Sequence, residues 1–233
     1  MPIRAILFDK DGTLVDFQRT WGPATDLVLK TLAAGDRAAY RKLADVSRFV
    51  EADRRFLPGS PLIAEPTPVF AALWAGALGR TASAAFAAEV DRLFAEAAVA
   101  HLTPIGNPPA LLGELARRGY RLGLMTNDAE ANTRAQARQL GVDHLLDFVA
   151  GYDSGFGAKP EPGPVLAFAA LLDIDAHDIA VVGDAAHDLI AARAAGAVAI
   201  GVRTGLAEDR ILAPYADGLI ASVEELPGWL DSR

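Results

Sequence analysis

The chain of 233 residues contains no cysteine, which excludes disulfide bonds, thiolate nucleophiles and cysteine metal sites. Lysine is scarce, since only Lys10, Lys30, Lys42 and Lys159 are lysines among 22 basic residues. No stretch is long and apolar enough to cross a membrane, and the N-terminus lacks the charged start, apolar core and cleavage site of a signal peptide. We therefore expect a cytoplasmic protein that does not bind membranes.

The chain also has an excess of acidic residues, with a formal net charge of −8. This charge argues against nucleic-acid binding and against anionic membranes, but a locally positive pocket could still take a small anionic substrate. With 52% hydrophobic residues the chain can bury a sizeable core, so disorder is not expected. The length fits one domain, or one domain that carries a smaller insertion.

The most informative stretch lies near the N-terminus, where the apolar run of residues 3–8 ends in Asp9, Asp11, Gly12 and Thr13. The run is typical of a strand that is buried on both faces at the centre of a parallel sheet. Strand alternation predicts that Asp9 and Asp11 point to one side and that Lys10 is turned away. The alternative is an ordinary turn after a strand, because Asp-Gly is common in turns.

The remaining pattern predicts two kinds of structure. Between residues 20 and 100 the periodicity indicates four helices, around residues 27–33, 40–50, 69–78 and 86–94, and no convincing strand. After Thr103 helices alternate with strands at 120–125, 148–150, 179–182, 198–202 and 218–220; Asn107 and Asp128 are expected to cap helices. We therefore predict an α/β fold, a Rossmann-like parallel sheet with helices on both faces. Residues 1–15 and 103–233 would form this core, and residues 16–102 an inserted α-helical cap domain.

Several predicted strands end in polar side chains, which a parallel sheet brings to one edge. They are Asp9 and Asp11, Thr126 and Asn127, Lys159 in the loop after the strand at 148–150, and Asp184 and Asp188. Carboxylates, one hydroxyl and one lysine suit phosphoryl chemistry. Each residue alone has a simpler interpretation: Thr126 and Asp184 could cap helices, Lys159 could be a solvated charge, and His187 could be a partly exposed first-turn residue.

The order of these motifs resembles that of the haloacid dehalogenase superfamily of aspartate-nucleophile phosphatases. The motifs are Asp9-x-Asp11-Gly12-Thr13, Thr126, Lys159-Pro160 and Gly183-Asp184-x-x-x-Asp188. The similarity covers nearly the whole chain and is closest to phosphoglycolate phosphatase-like members, in the branch with a helical cap.

The resemblance implies a role for each matching residue. Asp9 is the nucleophile that forms an aspartyl-phosphate, and Asp11 is the general acid and then the general base. Thr126 and the backbone of Asn127 hold phosphate oxygens, and Lys159 pairs with Asp9 and the phosphoryl group.

The resemblance also implies a Mg2+ cofactor. Asp9, the backbone carbonyl of Asp11, Asp184 and Asp188 would hold the metal, and Gly12 and Thr13 would complete the phosphate-binding loop. Oxygen ligands of this kind suit Mg2+. Two residues depart from the family pattern: Lys10 replaces an apolar residue, and Ala185 stands where many members have serine.

The sequence leaves several activities open. The leading hypothesis is a Mg2+-dependent phosphomonoesterase that acts on a small phosphorylated metabolite, phosphoglycolate-like or a sugar phosphate. A sugar-phosphate mutase or a non-catalytic binder of phosphorylated ligands are alternatives. A dehalogenase would lack Asp11, and a phosphonatase would need a cap lysine, for which Lys30 and Lys42 lie in no recognisable context.

The cap is expected to set specificity. Arg54 and Arg55 could bind a second anionic group of the substrate, because arginine binds carboxylates bidentately; the alternative is a solvated helix end. The cap would open and close at loops near residues 16–17 and 101–103. We expect a monomer or a homodimer.

Overall fold

The computed structural model describes residues 3–63 and 65–232. The strands are β1 (Ala5–Phe8), β2 (Phe49–Val50), β3 (Arg55–Phe56), β4 (Arg121–Met125), β5 (Phe148–Ala150), β6 (Ile179–Gly183), β7 (Val198–Val202) and β8 (Gly218–Ile220). The helices are α1 (Phe17–Ala33), α2 (Arg37–Val46), α3 (Thr67–Leu78), α4 (Ala84–His101), α5 (Pro108–Arg117), α6 (Glu130–Gln139), α7 (Gly163–Leu172), α8 (Ala186–Ala195), α9 (Asp209–Leu212) and α10 (Leu226–Asp231).

Six strands form one parallel sheet in the order β5-β4-β1-β6-β7-β8. β1 lies at its centre, since Ala5 is in register with Arg121 of β4 on one side and with Ile179 of β6 on the other. All four residues of β1 are buried, which is why the run reads as continuously apolar. The prediction of a Rossmann-like α/β sheet is confirmed.

Each face of the sheet has its own hydrophobic core. On one face Ile6 and Phe8 pack with residues of α5 and α10, and on the other Ala5 and Leu7 pack with residues of α7 and α8. Alternate residues of β1 therefore serve opposite cores. Helices on both faces leave the carboxyl edge of the sheet as the place where polar side chains gather.

The segment between β1 and α5 folds as the four helices α1 to α4 around a separate hydrophobic cluster. Trp74 and Phe94 lie in this cluster and are buried. The expectation that residues 20–100 hold no strand is wrong, because β2 and β3 form a short antiparallel hairpin in which Phe49 is in register with Phe56. Both phenylalanines are buried against the helices, and their rings lie 5.3 Å apart.

The predicted helix caps have different outcomes. Asn107 caps α5 by accepting a hydrogen bond from the amide of Ala110 at 3.2 Å, as predicted. Asp128 does not cap α6, which begins at Glu130, because its carboxylate is bound to Lys10 and Asn132. Within residues 3–63 and 65–232, none of the helices combines the length and the apolar character that a membrane span requires.

Candidate active site

Lys159 joins two carboxylates at the carboxyl edge of the sheet. Its Nζ lies 2.6 Å from Oδ1 of Asp9, which directly follows β1, and 2.6 Å from Oδ1 of Asp188 in the first turn of α8. All three side chains are buried. A buried carboxylate needs a counter-charge, and Lys159 supplies one charge to two carboxylates.

A third carboxylate completes a cluster that can hold a cation. Asp9, Asp184 and Asp188 each offer a ligand atom, and these atoms lie within 4.8 Å of one another. Oδ2 of Asp9 is buried and has no hydrogen-bond partner among the described residues. Buried oxygen donors with an unpaired lone pair fit Mg2+, which prefers carboxylate ligands. The carboxylate of Asp11 is not a member of this cluster among the described residues.

The electrostatics show what the cluster lacks without a cation. Burial raises the pKa of Asp9 to about 7, against the opposing effect of Lys159 and with further contributions from Asp188 and Asp11. Burial, together with Asp9 and Asp188, raises the pKa of Asp184 well above its usual range. Burial lowers the pKa of Lys159, but Asp188 and Asp9 outweigh that effect and raise it overall. The positive charge of Lys159 alone is therefore not enough to balance the three carboxylates of Asp9, Asp184 and Asp188 when all of them are ionised.

Two glycines wrap the backbone closely around Asp184. Gly12 has a φ of +86°, and a Cβ there would lie 2.4 Å from Cγ of Asp184. A Cβ at Gly205, in the loop after β7, would lie 1.7 Å from Oδ2 of the same residue. Thr204 fixes this loop by donating a hydrogen bond from Oγ1 to the carbonyl of Gly12 at 2.5 Å. Only glycine leaves room for the Asp184 carboxylate at these two positions.

Both carboxylate oxygens of Asp11 have partners. Nε1 of Trp21, in α1, donates to Oδ1 at 2.6 Å, and Nζ of Lys10 lies 2.9 Å from Oδ2. The prediction that Lys10 is turned away is wrong: β1 ends at Phe8, so strand alternation does not extend to residue 10. Lys10 is almost fully buried, and its Nζ also donates to Asp128 at 2.9 Å and to Gln136 at 2.7 Å.

Lys10 keeps its charge in this buried position. Burial lowers its pKa, but Asp11 and Asp128 outweigh that effect and raise the pKa above its usual value. The ammonium group also lies 4.9 Å from the centroid of the Trp21 ring. The Asp11 carboxylate is therefore held by Lys10, which follows β1 of the core, and by Trp21, which lies in α1 of the helical segment.

Thr126 and Asn127 follow β4 and line the same cavity as Asp9. Oγ1 of Thr126 accepts a hydrogen bond from the amide of Asp128 at 3.1 Å. The Asn127 side chain fixes the Lys159 backbone in both directions, donating to its carbonyl and accepting from its amide, each at 2.9 Å. Asn127 thus has a structural task that the sequence did not indicate.

Gly12 and Thr13 lie beside the cavity and not in its wall. Thr13 is fully buried, and its Oγ1 has no hydrogen-bond partner among the described residues. Ala185 lines the cavity, and its amide donates to Oδ2 of Asp188 at 2.9 Å. The absence of a serine hydroxyl at residue 185 leaves this backbone contact to the metal-site loop intact.

The structure does not bring Arg54 and Arg55 to the cavity. Both side chains are more than half exposed; Nε of Arg54 pairs with Asp26 at 3.3 Å, and Nε of Arg55 pairs with Asp53 at 3.2 Å. Neither arginine lines the cavity, although the neighbouring Phe56 does. The two arginines are solvated, as the alternative interpretation expected, but they lie in the hairpin of β2 and β3 and not at a helix end.

The cavity lies between the carboxyl edge of the sheet and the helical segment. The core contributes the aspartates, Thr126, Asn127, Lys159 and His187, and the helical segment contributes mainly aromatic and aliphatic side chains together with Glu65. Sequence reasoning missed Trp21, Thr204 and Gly205. The Thr204-Gly205 pair stands just beyond the end of β7, where the rule that placed Asp184 could have indicated it. Trp21 gives no such signal, because helical periodicity does not tell which neighbour an indole contacts.

Comparison with known proteins places these features in a family. The sequence matches the profile of the haloacid dehalogenase-like hydrolases over residues 3–196. It is 33% identical to a phosphoglycolate phosphatase of Rhodospirillum rubrum, over 97% of this chain and 90% of that protein. It is 32% identical to a plasmid-encoded phosphoglycolate phosphatase of Cupriavidus necator, over 99% and 94%. A hydrolase from Pseudomonas syringae shares the fold, with a TM-score of 0.68 at 18% identity over 98% of each chain.

Proposed function

Because the chain belongs to the haloacid dehalogenase-like hydrolases and is an enzyme similar to phosphoglycolate phosphatases, we propose that it is a Mg2+-dependent phosphomonoesterase that works through an aspartyl-phosphate. The observation that carries this proposal is the buried contact of Lys159 with Asp9 and Asp188, with Asp184 beside them. A buried lysine and a cation site around one carboxylate suit a dianionic phosphoryl group.

We assign a residue to each step of the proposed reaction. A carboxylate oxygen of Asp9 attacks phosphorus, the bond between phosphorus and the ester oxygen breaks, and Asp11 gives its proton to the departing oxygen. Water then attacks the phosphorus of the aspartyl-phosphate, Asp11 accepts a proton from that water, and inorganic phosphate leaves Asp9. Thr126 and the backbone of Asn127 hold the non-reacting phosphate oxygens.

Asp9, Asp184, Asp188 and the carbonyl of Asp11 would hold Mg2+. The ion, when bound, neutralises negative charge on the carboxylates and on the phosphoryl oxygens. Asp9 needs such a counter-charge, since burial raises its pKa to about 7 and only the ionised carboxylate is a nucleophile. Lys159 orients Asp9 through the contact of its Nζ with Oδ1 of Asp9 at 2.6 Å.

We also propose that residues 16–102 form a cap domain over a core of residues 1–15 and 103–233. Support comes from the separate hydrophobic cluster of α1 to α4. The two connections run side by side, because the amide of Asp16 donates to the carbonyl of Thr103 at 2.8 Å and Val15 bridges to Pro104. Adjacent connections allow the cap to move as one body and to exclude water before chemistry.

We propose that the substrate is a small phosphorylated metabolite. We also propose that the protein acts in the cytoplasm, as a monomer or a homodimer. A sugar-phosphate mutase would use the same phosphorylated aspartate but return the phosphoryl group to a sugar. A non-catalytic binder would hold the ligand without releasing phosphate. Both alternatives differ from the phosphatase in one measurable product, inorganic phosphate.

The proposal is tested by phosphate release from a panel of esters, with and without Mg2+, for the wild type and for Asp9→Asn. The panel contains p-nitrophenyl phosphate, benzyl phosphate, phosphoglycolate and sugar phosphates. We expect release that requires Mg2+ and that falls by at least about 10³-fold in the variant, as is usual when a nucleophile is removed.

Asp173→Asn is the matched control, because Asp173 is exposed in the turn after α7 and has a φ of 52°, which asparagine tolerates. It should release phosphate at the wild-type rate. Full activity of Asp9→Asn, or no release from any ester by the wild type, would overturn the proposal.

A further inference from the structure

The cap side of the cavity is an apolar wall. Its aromatic and aliphatic members are Phe17, Trp21, Phe56, Leu62, Ile63, Phe70 and Phe94. Several of these rings belong to the core of the cap as well: Phe17 and Phe56 lie 5.1 Å apart, and Phe70 and Phe94 lie 6.1 Å apart. Because packing on the far side fixes these rings, the wall is preformed. A preformed apolar wall favours a ligand that is itself apolar.

Positive charge is missing from this wall. Among the described residues that line the cavity, the basic ones are Lys159 and His187, and both come from the core. Lys159 is already shared between Asp9 and Asp188. Lys10 lies nearby but is 1% exposed and paired with Asp11 and Asp128. The described residues of the cap that line the cavity therefore offer no cation for a second anionic group on a substrate.

The charge that the cap does contribute is negative. Glu65 lines the cavity and is exposed. The other polar side chains of the wall, Thr25 and Thr67, are neutral. Thr25 is fully buried, and its Oγ1 has no hydrogen-bond partner among the described residues. A buried hydroxyl without a partner can bond one neutral polar group of a ligand.

We infer that the natural substrate is a phosphate monoester whose alcohol part is neutral and mainly apolar, an aromatic or branched aliphatic alcohol, and that it is not a phosphorylated carboxylic acid. This inference rests on the proposed phosphomonoesterase function. A carboxylate on the alcohol part would lose its water against the aromatic rings and face Glu65 without a counter-ion from the described residues of the cap. A sugar would leave most of its hydroxyls without partners there.

The most direct test compares two esters that differ by one carboxylate group, benzyl phosphate and para-carboxybenzyl phosphate. Both release a benzyl alcohol, so the chemical reactivity of the leaving group is nearly matched. We expect kcat/KM to be at least about tenfold higher for benzyl phosphate, in the range typical of a pocket that discriminates by burial. We expect the same preference over phosphoglycolate. An equal or higher kcat/KM for phosphoglycolate or for the carboxylated ester would overturn the inference.

A variant isolates the contribution of the cap charge. Glu65→Lys should raise kcat/KM for para-carboxybenzyl phosphate relative to that for benzyl phosphate, by roughly threefold or more at low salt. Glu96→Lys is the matched control, since Glu96 is exposed on α4 and does not line the cavity; it should leave the ratio unchanged. An unchanged ratio in Glu65→Lys, or the same change in Glu96→Lys, would contradict the charge argument.

Binding separates this inference from the proposed function. Phenethylphosphonate and its para-carboxy derivative cannot be hydrolysed, so calorimetric titration of both in the presence of Mg2+ needs no turnover. Tighter binding of phenethylphosphonate, by at least about tenfold, supports the inference even if no ester of the panel is hydrolysed. Equal binding, or tighter binding of the carboxylated analogue, would overturn it. Phosphate release that depends on Asp9 but is faster with phosphoglycolate would support the phosphatase proposal and contradict the inference of an apolar substrate.

Discussion

Three buried carboxylates against one lysine make the site electrostatically unfavourable in the absence of a cation. The effect is clear at Asp184, whose pKa is raised well above its usual value of 3.8 by burial, by Asp9 and by Asp188. A raised pKa means that the folded protein holds the proton more tightly than the unfolded chain. Ionisation of Asp184 therefore destabilises the folded protein. This cost is absent at a pH below the pKa of Asp184 in the unfolded chain, and it grows as the pH rises towards the pKa in the folded protein.

Replacing Asp184 with asparagine should accordingly stabilise the metal-free protein. Near pH 8 we expect the free energy of unfolding to rise by about 1 kcal/mol, which raises the Tm by about 2–4 °C for a chain of this size. Near pH 4 the gain should shrink, because this pH is close to the unfolded pKa of 3.8, so that little of the cost of ionising Asp184 has yet developed. Thermal unfolding in the presence of a chelator, at both pH values, measures the difference.

The same variant should respond less to metal. Mg2+ stabilises a protein that binds it only in the folded state, so wild-type protein should gain Tm on addition of Mg2+ and Asp184→Asn should gain less. Asp173→Asn is the control and should behave as wild type. A destabilised Asp184→Asn near pH 8 without metal, or an undiminished response to Mg2+, would contradict the assignment of Asp184 to the cation site.

At the scale of elements, α1 links the cap to the reacting groups. It belongs to the hydrophobic cluster of the cap through Trp21 and Phe17, and it reaches the core through the hydrogen bond from Trp21 Nε1 to Asp11. Trp21 is thus a positioning residue for Asp11. Movement of α1 with the cap would free one oxygen of the Asp11 carboxylate.

Trp21→Phe keeps the aromatic ring but removes the N–H group. If Trp21 positions Asp11, kcat should fall roughly fivefold for alkyl phosphates, the rate equivalent of about 1 kcal/mol for one hydrogen bond. The fall should be smaller for p-nitrophenyl phosphate, whose leaving group needs little help from an acid. Steady-state kinetics with the two kinds of ester give the comparison.

Trp74→Phe serves as the matched control for this change. The Nε1 of Trp74 donates at 2.8 Å to Oγ of Ser47 inside the cap, away from Asp11. This variant should lower the Tm and leave the ratio of the two kcat values unchanged. An equal fall for both esters in Trp21→Phe would reduce Trp21 to a structural role.

The elements also show how far sequence reasoning reaches. The central strand β1 is predictable because it is buried on both faces, and the sheet order then brings Asp9, Lys159 and Asp188 to one edge. The hairpin of β2 and β3 is not, because two-residue strands are too short to show an alternating pattern. The position of Arg54 and Arg55 depends on that hairpin, where Arg54 has a φ of 49°. The contacts of Lys10 lie beyond the strand, where alternation no longer applies.

For the whole molecule, the net charge and the local charge have different consequences. A net charge of −8 predicts the absence of nucleic-acid binding. The candidate site also carries more negative than positive groups. The sequence could not show that the cap wall is apolar and lacks a cation, because that property depends on which faces of α1, α3 and α4 meet the sheet edge. Residue spacing predicts the core chemistry, whereas the substrate class follows from packing.

Asp9 is the residue that we propose to carry the phosphoryl group, and trapping of the phosphorylated enzyme would test this role. The Asp11→Asn variant should accumulate the aspartyl-phosphate with p-nitrophenyl phosphate. The p-nitrophenolate group leaves without help from an acid, so the aspartyl-phosphate still forms. Its hydrolysis is slow, because the variant lacks the general base. After an acid quench, borohydride reduces an aspartyl-phosphate to homoserine. Trypsin then cuts after Arg4 and Lys10, and in the resulting peptide of residues 5–10 Asp9 has the only carboxylate side chain. We predict homoserine at position 9 by mass spectrometry. An unmodified peptide from a variant that still releases p-nitrophenol would contradict the account.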